Sequence, residues 1–303
     1  MIKNKKILIT GVYGFLGTKL VKQLQHDNEI VGINQPNKSG KSRFDNITVI
    51  EGDISNEKVL EQVDIEIDLI FHFGSPTSIV LFKQNPEKYF NNTVTGMKNI
   101  LEFAKNNSID KLIYPSSGSV YGNNPQPHSE DVVPQPSNQY GAAKIQCENL
   151  AEEYSDYIDS TGLRIFAVYG PGEEKKQNLS SVINLFLQDI KRKDPPVIFG
   201  DGTQTRDFIY VDDAISAIVN CSELSKQKII NVGSGISTSF NQIIEIISKQ
   251  VDEKIIPHYI KKESSYIENL KANTKLMKSI LKIDPISIES GIEKFAKYLN
   301  LIN

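Results

Sequence analysis

The chain has 303 residues, 39% of them hydrophobic and 23% charged, with a formal net charge of −3, the composition of a folded protein rather than a disordered one. Lysines and arginines are spread along it, and Lys191-Arg192-Lys193 is the only fully basic triplet, which argues against a nucleic-acid partner. Two cysteines, Cys147 and Cys221, cannot build a disulfide framework or a Cys-rich zinc site, and His26, His72, His128 and His258 show no ligand spacing, so no metal is expected. No apolar run reaches the roughly 18 residues of a membrane span. Gly11 and Gly14 interrupt the first apolar stretch too early for a signal peptide, so a cytoplasmic protein without membrane association is expected.

In chain order, short β-branched runs alternate with longer stretches of helical spacing. Strands are predicted at Lys6–Thr10, Glu29–Asn34, Thr48–Ile50, Asp68–Gly74, Lys111–Ser116 and Leu163–Val168. Most have a continuous apolar centre, such as Ile7-Leu8-Ile9, as strands buried on both faces of a parallel sheet do. Helices are predicted at Phe15–Gln25, Asn56–Val63, Glu87–Asn106 and Asn138–Tyr157. The alternation implies an α/β, Rossmann-type doubly wound parallel sheet. Past the Pro171-Gly172 breaker the pattern changes: a helix near Leu179–Lys191, a strand at Val197–Phe199, a βαβ stretch through Phe208–Val211, Asp213–Cys221 and Ile229–Val232, and a tail with one strand near Ile255-Ile256. The expected organisation is a dinucleotide-binding domain over 1–170, with 206–233 returning to it, and a smaller mixed α/β substrate-binding lobe from 171–205 and 234–303.

Gly11, Gly14 and Gly17 follow the first strand and open the first helix. A pyrophosphate must approach backbone N–H groups at a helix N-terminus, where the dipole favours an anion, and a Cβ there would obstruct it. About 20 residues on, where a ribose-binding carboxylate is expected, stands Asn34; its amide can bond a 2′-OH without repelling a 2′-phosphate. Lys38, Lys41 and Arg43 lie close by in sequence, so NAD is expected and NADP is not excluded. Asp53, after the third strand, is either a contact to the adenine amino group or a turn aspartate.

Tyr140 and Lys144 are spaced i, i+4 at the start of a predicted helix, so phenol and ammonium share a face and the cation is expected to favour the phenolate. One strand earlier runs Ser116-Ser117-Gly118-Ser119-Val120-Tyr121-Gly122, with hydroxyls at the C-terminal end of a parallel strand, where such sheets bind ligands.

Over nearly its whole length the chain resembles an extended short-chain dehydrogenase/reductase of the NAD-dependent epimerase/dehydratase family, most of all the UDP-hexose 4-epimerases. The carrying residues are the glycine turn, residues 116–122, Tyr140-x-x-x-Lys144, Arg164–Pro171 and Gly200–Asp213. The resemblance implies catalysis by Ser117, Tyr140 and Lys144. It also implies a cofactor cradle of Gly11, Tyr13, Gly14, Phe15, Leu16, Gly17, Asn34, Asp53, Ile54, Phe73 and Gly74, with Tyr140 and Lys144. For the substrate, a nucleotide-diphosphate sugar linked to UDP, it implies Ser117, Ser119, Asn178, Leu179, Phe199 and Arg206. Arg206 suits a diphosphate bidentately and Phe199 a nucleobase face. It implies a homodimer through the two long helices as well. The chain departs from the family pattern at Gln139, Ala167 and the Lys261–Ser265 run.

Family dehydratases carry an acidic pair after the catalytic Ser/Thr. Here Gly118 and Ser119 stand there, and neither offers a carboxyl for elimination. The resemblance therefore implies an NAD-dependent epimerase that oxidises C4 to a transient 4-keto sugar and returns hydride to the other face. The alternatives are an NAD(P)H-dependent reductase or dehydrogenase of a nucleotide sugar, and a catalytically silent dinucleotide-binding regulator.

Overall fold

The structure, a computed structural model, describes residues 2–36, 44–226, 228–261 and 268–303. Its strands are β1 (Lys6–Thr10), β2 (Glu29–Asn34), β3 (Thr48–Glu51), β4 (Leu69–His72), β5 (Lys111–Ser117), β6 (Asp159–Ile165), β7 (Ala167–Tyr169), β8 (Val197–Phe199), β9 (Thr205–Tyr210), β10 (Lys228–Val232), β11 (Ser237–Ser239) and β12 (His258–Ile260). The helices that matter below are α1 (Phe15–Leu24), α2 (Ile79–Gln84), α3 (Pro86–Asn106), α4 (Gln139–Glu153), α5 (Val182–Arg192), α6 (Val211–Asn220) and α7 (Phe240–Val251).

The chain divides into two compact units. The first comprises Met1–Gly122, Val133–Arg164 and Ile215–Ile230. It is built on a seven-stranded sheet in the order β10-β6-β5-β4-β1-β2-β3, in which β3, β2, β1, β4 and β5 pair parallel. The apolar centres of β1, β2 and β4 are buried, and Leu8, Ile33, Ile70 and Leu112 pack with Met97, Ile100 and Leu101 of α3 in one core. Burial on both faces explains why these strands read as unbroken apolar runs. Strand order reverses between β1 and β4, so connections leave the two strands in opposite directions and open a crevice at their C-terminal ends. This is the doubly wound sheet that the alternation predicts.

The second unit comprises Asn123–Val132, Ile165–Ala214 and Asn231–Asn303. It holds a three-stranded sheet, β11-β9-β7, and a parallel pair, β12-β8. The rings of Phe186 on α5 and Phe240 on α7 meet edge-on with centroids 6.2 Å apart. Buried Asp207 of β9 accepts from the backbone N–H groups of Ser234, Gly235 and Ala272 at 2.6, 2.9 and 3.0 Å.

Three sequence expectations shift. The single strand at Leu163–Val168 is two, because Phe166 stands between β6 and β7 and donates its N–H to Val232 O; the apolar residues 165–168 run on across that point and do not show where the strand leaves one sheet for another. The strand near Ile255-Ile256 begins instead at His258, after Pro257, whose missing N–H cannot join a ladder. The segment of this region grouped with the first unit is Ile215–Ile230, shorter than 206–233, because β9 pairs with β7 and β11 rather than with the large sheet.

Gly17, on α1, is closed to side chains. A Cβ there would lie 2.0 Å from the carbonyl oxygen of Gly11, a backbone atom that cannot swing aside. Gly17→Ala is expected to destabilise the protein by about 1–3 kcal/mol or more, measured by denaturant unfolding against wild type.

Candidate active site

The glycine turn sits at the crevice between β1 and β4. Gly11 has φ +76°, and a Cβ on it would stand 2.6 Å from the carbonyl oxygen of Phe73, so backbone meets backbone across the crevice. The approach is fastened by Thr10, whose hydroxyl accepts the N–H of Gly74 at 2.8 Å and lies 2.8 Å from His72 Nδ1. That one hydroxyl thus ties the end of β1 to both His72 and Gly74 of the neighbouring strand end. α1 starts with Gly14 at its N-cap and no side-chain cap. A turn that a Cβ would fill, opening a helix without a side chain across its end, fits a dinucleotide pyrophosphate.

The other expected cofactor residues divide. Tyr13, Phe15 and Leu16 belong to the turn and the first turn of α1, and Phe73 and Gly74 follow β4 across from it. Asn34 ends β2, but its Oδ1 accepts the Tyr13 N–H at 3.1 Å and its Nδ2 donates to Gln35 O, so the amide fastens the glycine turn. Asp53 accepts from Ser55 N and Oγ at 2.9 and 2.8 Å and from Gln35 Nε2 at 3.0 Å, an Asx turn. Ile54 is buried under Gly96 of α3. Lys38, Lys41, Arg43, Lys262, Glu263, Ser264 and Ser265 lie outside the described residues.

Ser117 ends β5 and begins a tight 3-10 turn, its hydroxyl accepting the Ser119 N–H at 3.1 Å. α4 starts behind it, with Asn138 at its N-cap accepting from Gly141 N; Gln139 occupies the first helical position, where Pro would also be tolerated. Tyr140 is half-buried, and Ser117 stands close enough to its phenol to act on its ionisation. Phe82 of α2 meets the Tyr140 ring edge-on at 5.4 Å. Lys144 is 2% exposed and donates to Ser75 Oγ at 2.9 Å, with its Nζ 5.8 Å from the Tyr140 ring centroid. The first unit thus brings together Ser117, Tyr140 and Lys144. Ser75, which follows β4 without any motif, escaped the sequence reading.

Charge in this site departs from the sequence expectation. Burial pushes the Tyr140 phenol up, and Ser117 works against that rise without overcoming it, so the net direction is opposite to the expected one. Burial also lowers the Lys144 pKa. His72, buried beside this lysine, is pushed down from 6.5 to about 3, chiefly by desolvation and further by the Lys144 charge.

In the second unit, Asn178 and Leu179 close a 3-10 segment built around Glu173, a fully buried carboxylate that accepts from Ser181 N and Oγ, both at 2.7 Å. Phe199 is 47% exposed on β8, and its carbonyl accepts from buried Gln204. Arg206 Nη1 donates to Thr205 O and Glu268 O at 2.8 and 3.2 Å, and the guanidinium carbon lies 5.8 Å from the Phe240 ring centroid. Among the described residues, no group of His, Cys, Asp and Glu could hold a metal ion, and no helix is long and apolar enough to cross a membrane.

A doubly wound sheet with a glycine turn at its switch point and a Ser-Tyr-Lys set defines a dinucleotide-dependent enzyme of the short-chain dehydrogenase type. The model of the NAD dependent epimerase/dehydratase family matches residues 7–233, and the chain belongs to that family. It is similar to the UDP-glucuronate 4-epimerase of Thermodesulfobacterium geofontis, 29% identical over 95% of this chain and 94% of that protein. A solved UDP-N-acetylglucosamine 4-epimerase from Methanobrevibacter ruminantium, in complex with UDP-N-acetylmuramic acid, is 30% identical, with a TM-score of 0.91 over 99% of both chains. A UDP-glucuronic acid 4-epimerase from Bacillus cereus, in complex with UDP-glucuronic acid and NAD, is 28% identical, with a TM-score of 0.85 over 97% of this chain and 99% of that one.

His72 gives the site a pH signature. The folded protein keeps it neutral down to about pH 3, whereas the unfolded chain protonates it near its ordinary 6.5. Between those values the unfolded state binds more protons, so this contribution to stability is full above about 6.5 and declines as pH falls toward 3. Unfolding free energies measured from about pH 7 to about pH 4 should therefore fall more steeply for wild type than for His72→Gln, by up to about 1.4 kcal/mol per pH unit.

Proposed function

We propose that this chain is an NAD-dependent 4-epimerase of UDP-linked hexoses. The observation that carries the reading is Ser117 at the end of β5 and Tyr140 on α4 beside the buried cation of Lys144, whose Nζ lies 5.8 Å from the Tyr140 ring centroid, with no carboxylate at positions 118 and 119. Bound NAD would accept the hydride from C4 of the sugar and return it. Tyr140 takes the proton of the C4 hydroxyl as the carbonyl forms and gives it back as the carbonyl is reduced. With a sugar bound, the Ser117 hydroxyl would give its one hydrogen to the oxygen at C4, steadying the charge that develops there. Lys144 keeps a positive charge near this proton transfer and would hold ribose hydroxyls of the cofactor. The cofactor's pyrophosphate would lie on the turn from Gly11 to Gly17. Inversion requires the ketone to present its other face to the same hydride, so the sugar must turn over between the two half-reactions while its nucleotide stays held.

The second unit supplies groups of the right chemistry for the nucleotide. Arg206 would pair with the diphosphate, Phe199 would lie on the base, and Asn178 with the Leu179 backbone would bond the sugar nucleotide; Ser119 would approach the sugar. We read the protein as a cytosolic homodimer joined through α3 and α4, with Cys147 and Cys221 as buried thiols suited to a reducing compartment.

Purified protein should convert UDP-glucose, UDP-glucuronate or UDP-N-acetylglucosamine to an equilibrium mixture with its C4 epimer without added cofactor, and release NAD on denaturation. Stoichiometric NADPH consumption on a 4-keto sugar, with no epimer formed, would overturn the reading. Tyr140→Phe should lower kcat by about 10²–10⁴-fold while NAD remains bound, measured by product chromatography. Arg206→Met should raise KM for the UDP-sugar by about tenfold or more with kcat nearly unchanged.

A further inference from the structure

Tyr140, Lys144 and Glu148 stand one turn apart on one face of α4. The first two carry the chemistry proposed above. Glu148 has no part in it, yet it is buried and densely bonded. Its Oε1 accepts from Ser116 Oγ and from Arg164 Nε, the latter at 3.0 Å, and its Oε2 accepts from Arg164 Nη2 at 2.7 Å. Arg164, 4% exposed, also donates through Nη1 to the Tyr121 hydroxyl at 3.0 Å, and its guanidinium carbon lies 4.9 Å from the Tyr121 ring centroid. Burial is the largest influence on Arg164 and opposes its charge, but the hydrogen bonds and charge of Glu148 outweigh it and hold the arginine above its ordinary value.

These bonds converge on the segment that presents Ser117. Ser116 precedes Ser117 at the end of β5, and Tyr121 closes the turn that Ser117 opens. One end of the segment is tied to the carboxylate and the other to the guanidinium, and the carboxylate belongs to the helix that bears Tyr140. A buried ion pair adds little stability over apolar residues of the same volume, but a bidentate fork fixes direction and distance as apolar packing does not.

We propose that Glu148 and Arg164 are positioning residues for the proton-transfer pair, acting through Ser116 and Tyr121 to fix where Ser117 stands against Tyr140. This rests on the reading of Tyr140 as the acid/base group. The polar and titratable groups that act on its phenol are Ser117 from β5 and Cys147 from α4, with Lys144 Nζ of α4 5.8 Å from the ring centroid and Phe82 of α2 against the ring. Of these, Ser117 is the one whose place depends on the clamp. It works against the rise that burial imposes on the phenol, so loosening the clamp must raise it further.

Ser116→Ala and Tyr121→Phe each cut one tether and leave the ion pair whole, whereas Glu148→Gln breaks the pair and is the variant that could fail to fold. The measurements are kcat, KM for the UDP-sugar, NAD retained through purification, and the ultraviolet titration of the Tyr140 phenol with Tyr140→Phe as the blank. Each tether variant should keep KM and NAD content, lose about tenfold in kcat, and titrate Tyr140 at higher pH; the double variant should lose about a hundredfold. A double variant with lowered melting temperature but unchanged kcat and Tyr140 titration would overturn the proposal and leave the pair a mere structural brace. If wild type epimerises no UDP-sugar, the reading of the reaction fails. The phenol titration still decides the positioning, since it needs neither substrate nor turnover.

Discussion

A lysine ammonium held out of water is the constraint around which the first unit is arranged. Lys144 is 2% exposed and bonds the Ser75 hydroxyl, and among the described residues no carboxylate forms an ion pair with it. Such a group is costly to bury, and the surroundings show the strain in charge: lysine and imidazole are both pushed toward their neutral forms. The neighbouring elements are those that tolerate this. His72 stays neutral with its Nδ1 occupied by Thr10, and Glu148, the next residue along the same helix face, is fully engaged by Arg164 and Ser116. The Ser75 hydroxyl is thus the hydrogen-bond partner the structure gives the ammonium.

The same logic explains why the crevice lies where it does. The reversal of strand order between β1 and β4 leaves a gap that only backbone can line closely, and Gly11 opposite Phe73 supplies that lining. Thr10 then stitches the two strand ends together, so the surface offered to a pyrophosphate and the loop carrying Ser75 toward Lys144 are parts of one hydrogen-bonded structure. Asn34 joins this by holding the Tyr13 N–H. It acts as a fastener of the turn, a role that its position at the end of β2 did not announce.

Much of this was legible in the chain because local rules govern it. The glycine spacing, the buried apolar strands and the Tyr140–Lys144 interval each follow from periodicity or from the needs of one turn. Ser117 required the resemblance to a family to be singled out from its serine neighbours. What escaped was made by contacts distant in sequence. Ser75 meets Lys144 across 69 residues, and Arg164 meets Tyr121 across 43; no window of sequence contains either pair. The phenol was misjudged for a related reason, since spacing places a cation on its face of the helix but cannot say that burial pushes the phenol the other way. The junction at Phe166 was hidden too, because the residues on either side of it, Ile165 and Ala167, are as apolar as Phe166 itself.

The residues after Ser117 narrow the chemistry further. Gly118 and Ser119 are buried in a turn whose backbone is already committed, the Ser119 N–H to the Ser117 hydroxyl. Gly141 of α4 packs so closely there that a Cβ on it would stand 2.7 Å from the Ser119 carbonyl oxygen. The turn therefore supplies hydroxyl and backbone but no carboxyl, and the nearest acidic residue on α4, Glu148, is bound to Arg164 and Ser116. A 4-keto sugar formed beside Tyr140 meets no group in this turn able to pull a proton from C5 or to protonate a departing hydroxyl at C6. With elimination unassisted, the course left to the ketone is to regain a hydride, and on the proposed assignment of Tyr140 as acid and base the proton that must accompany it is the one the phenol has just taken.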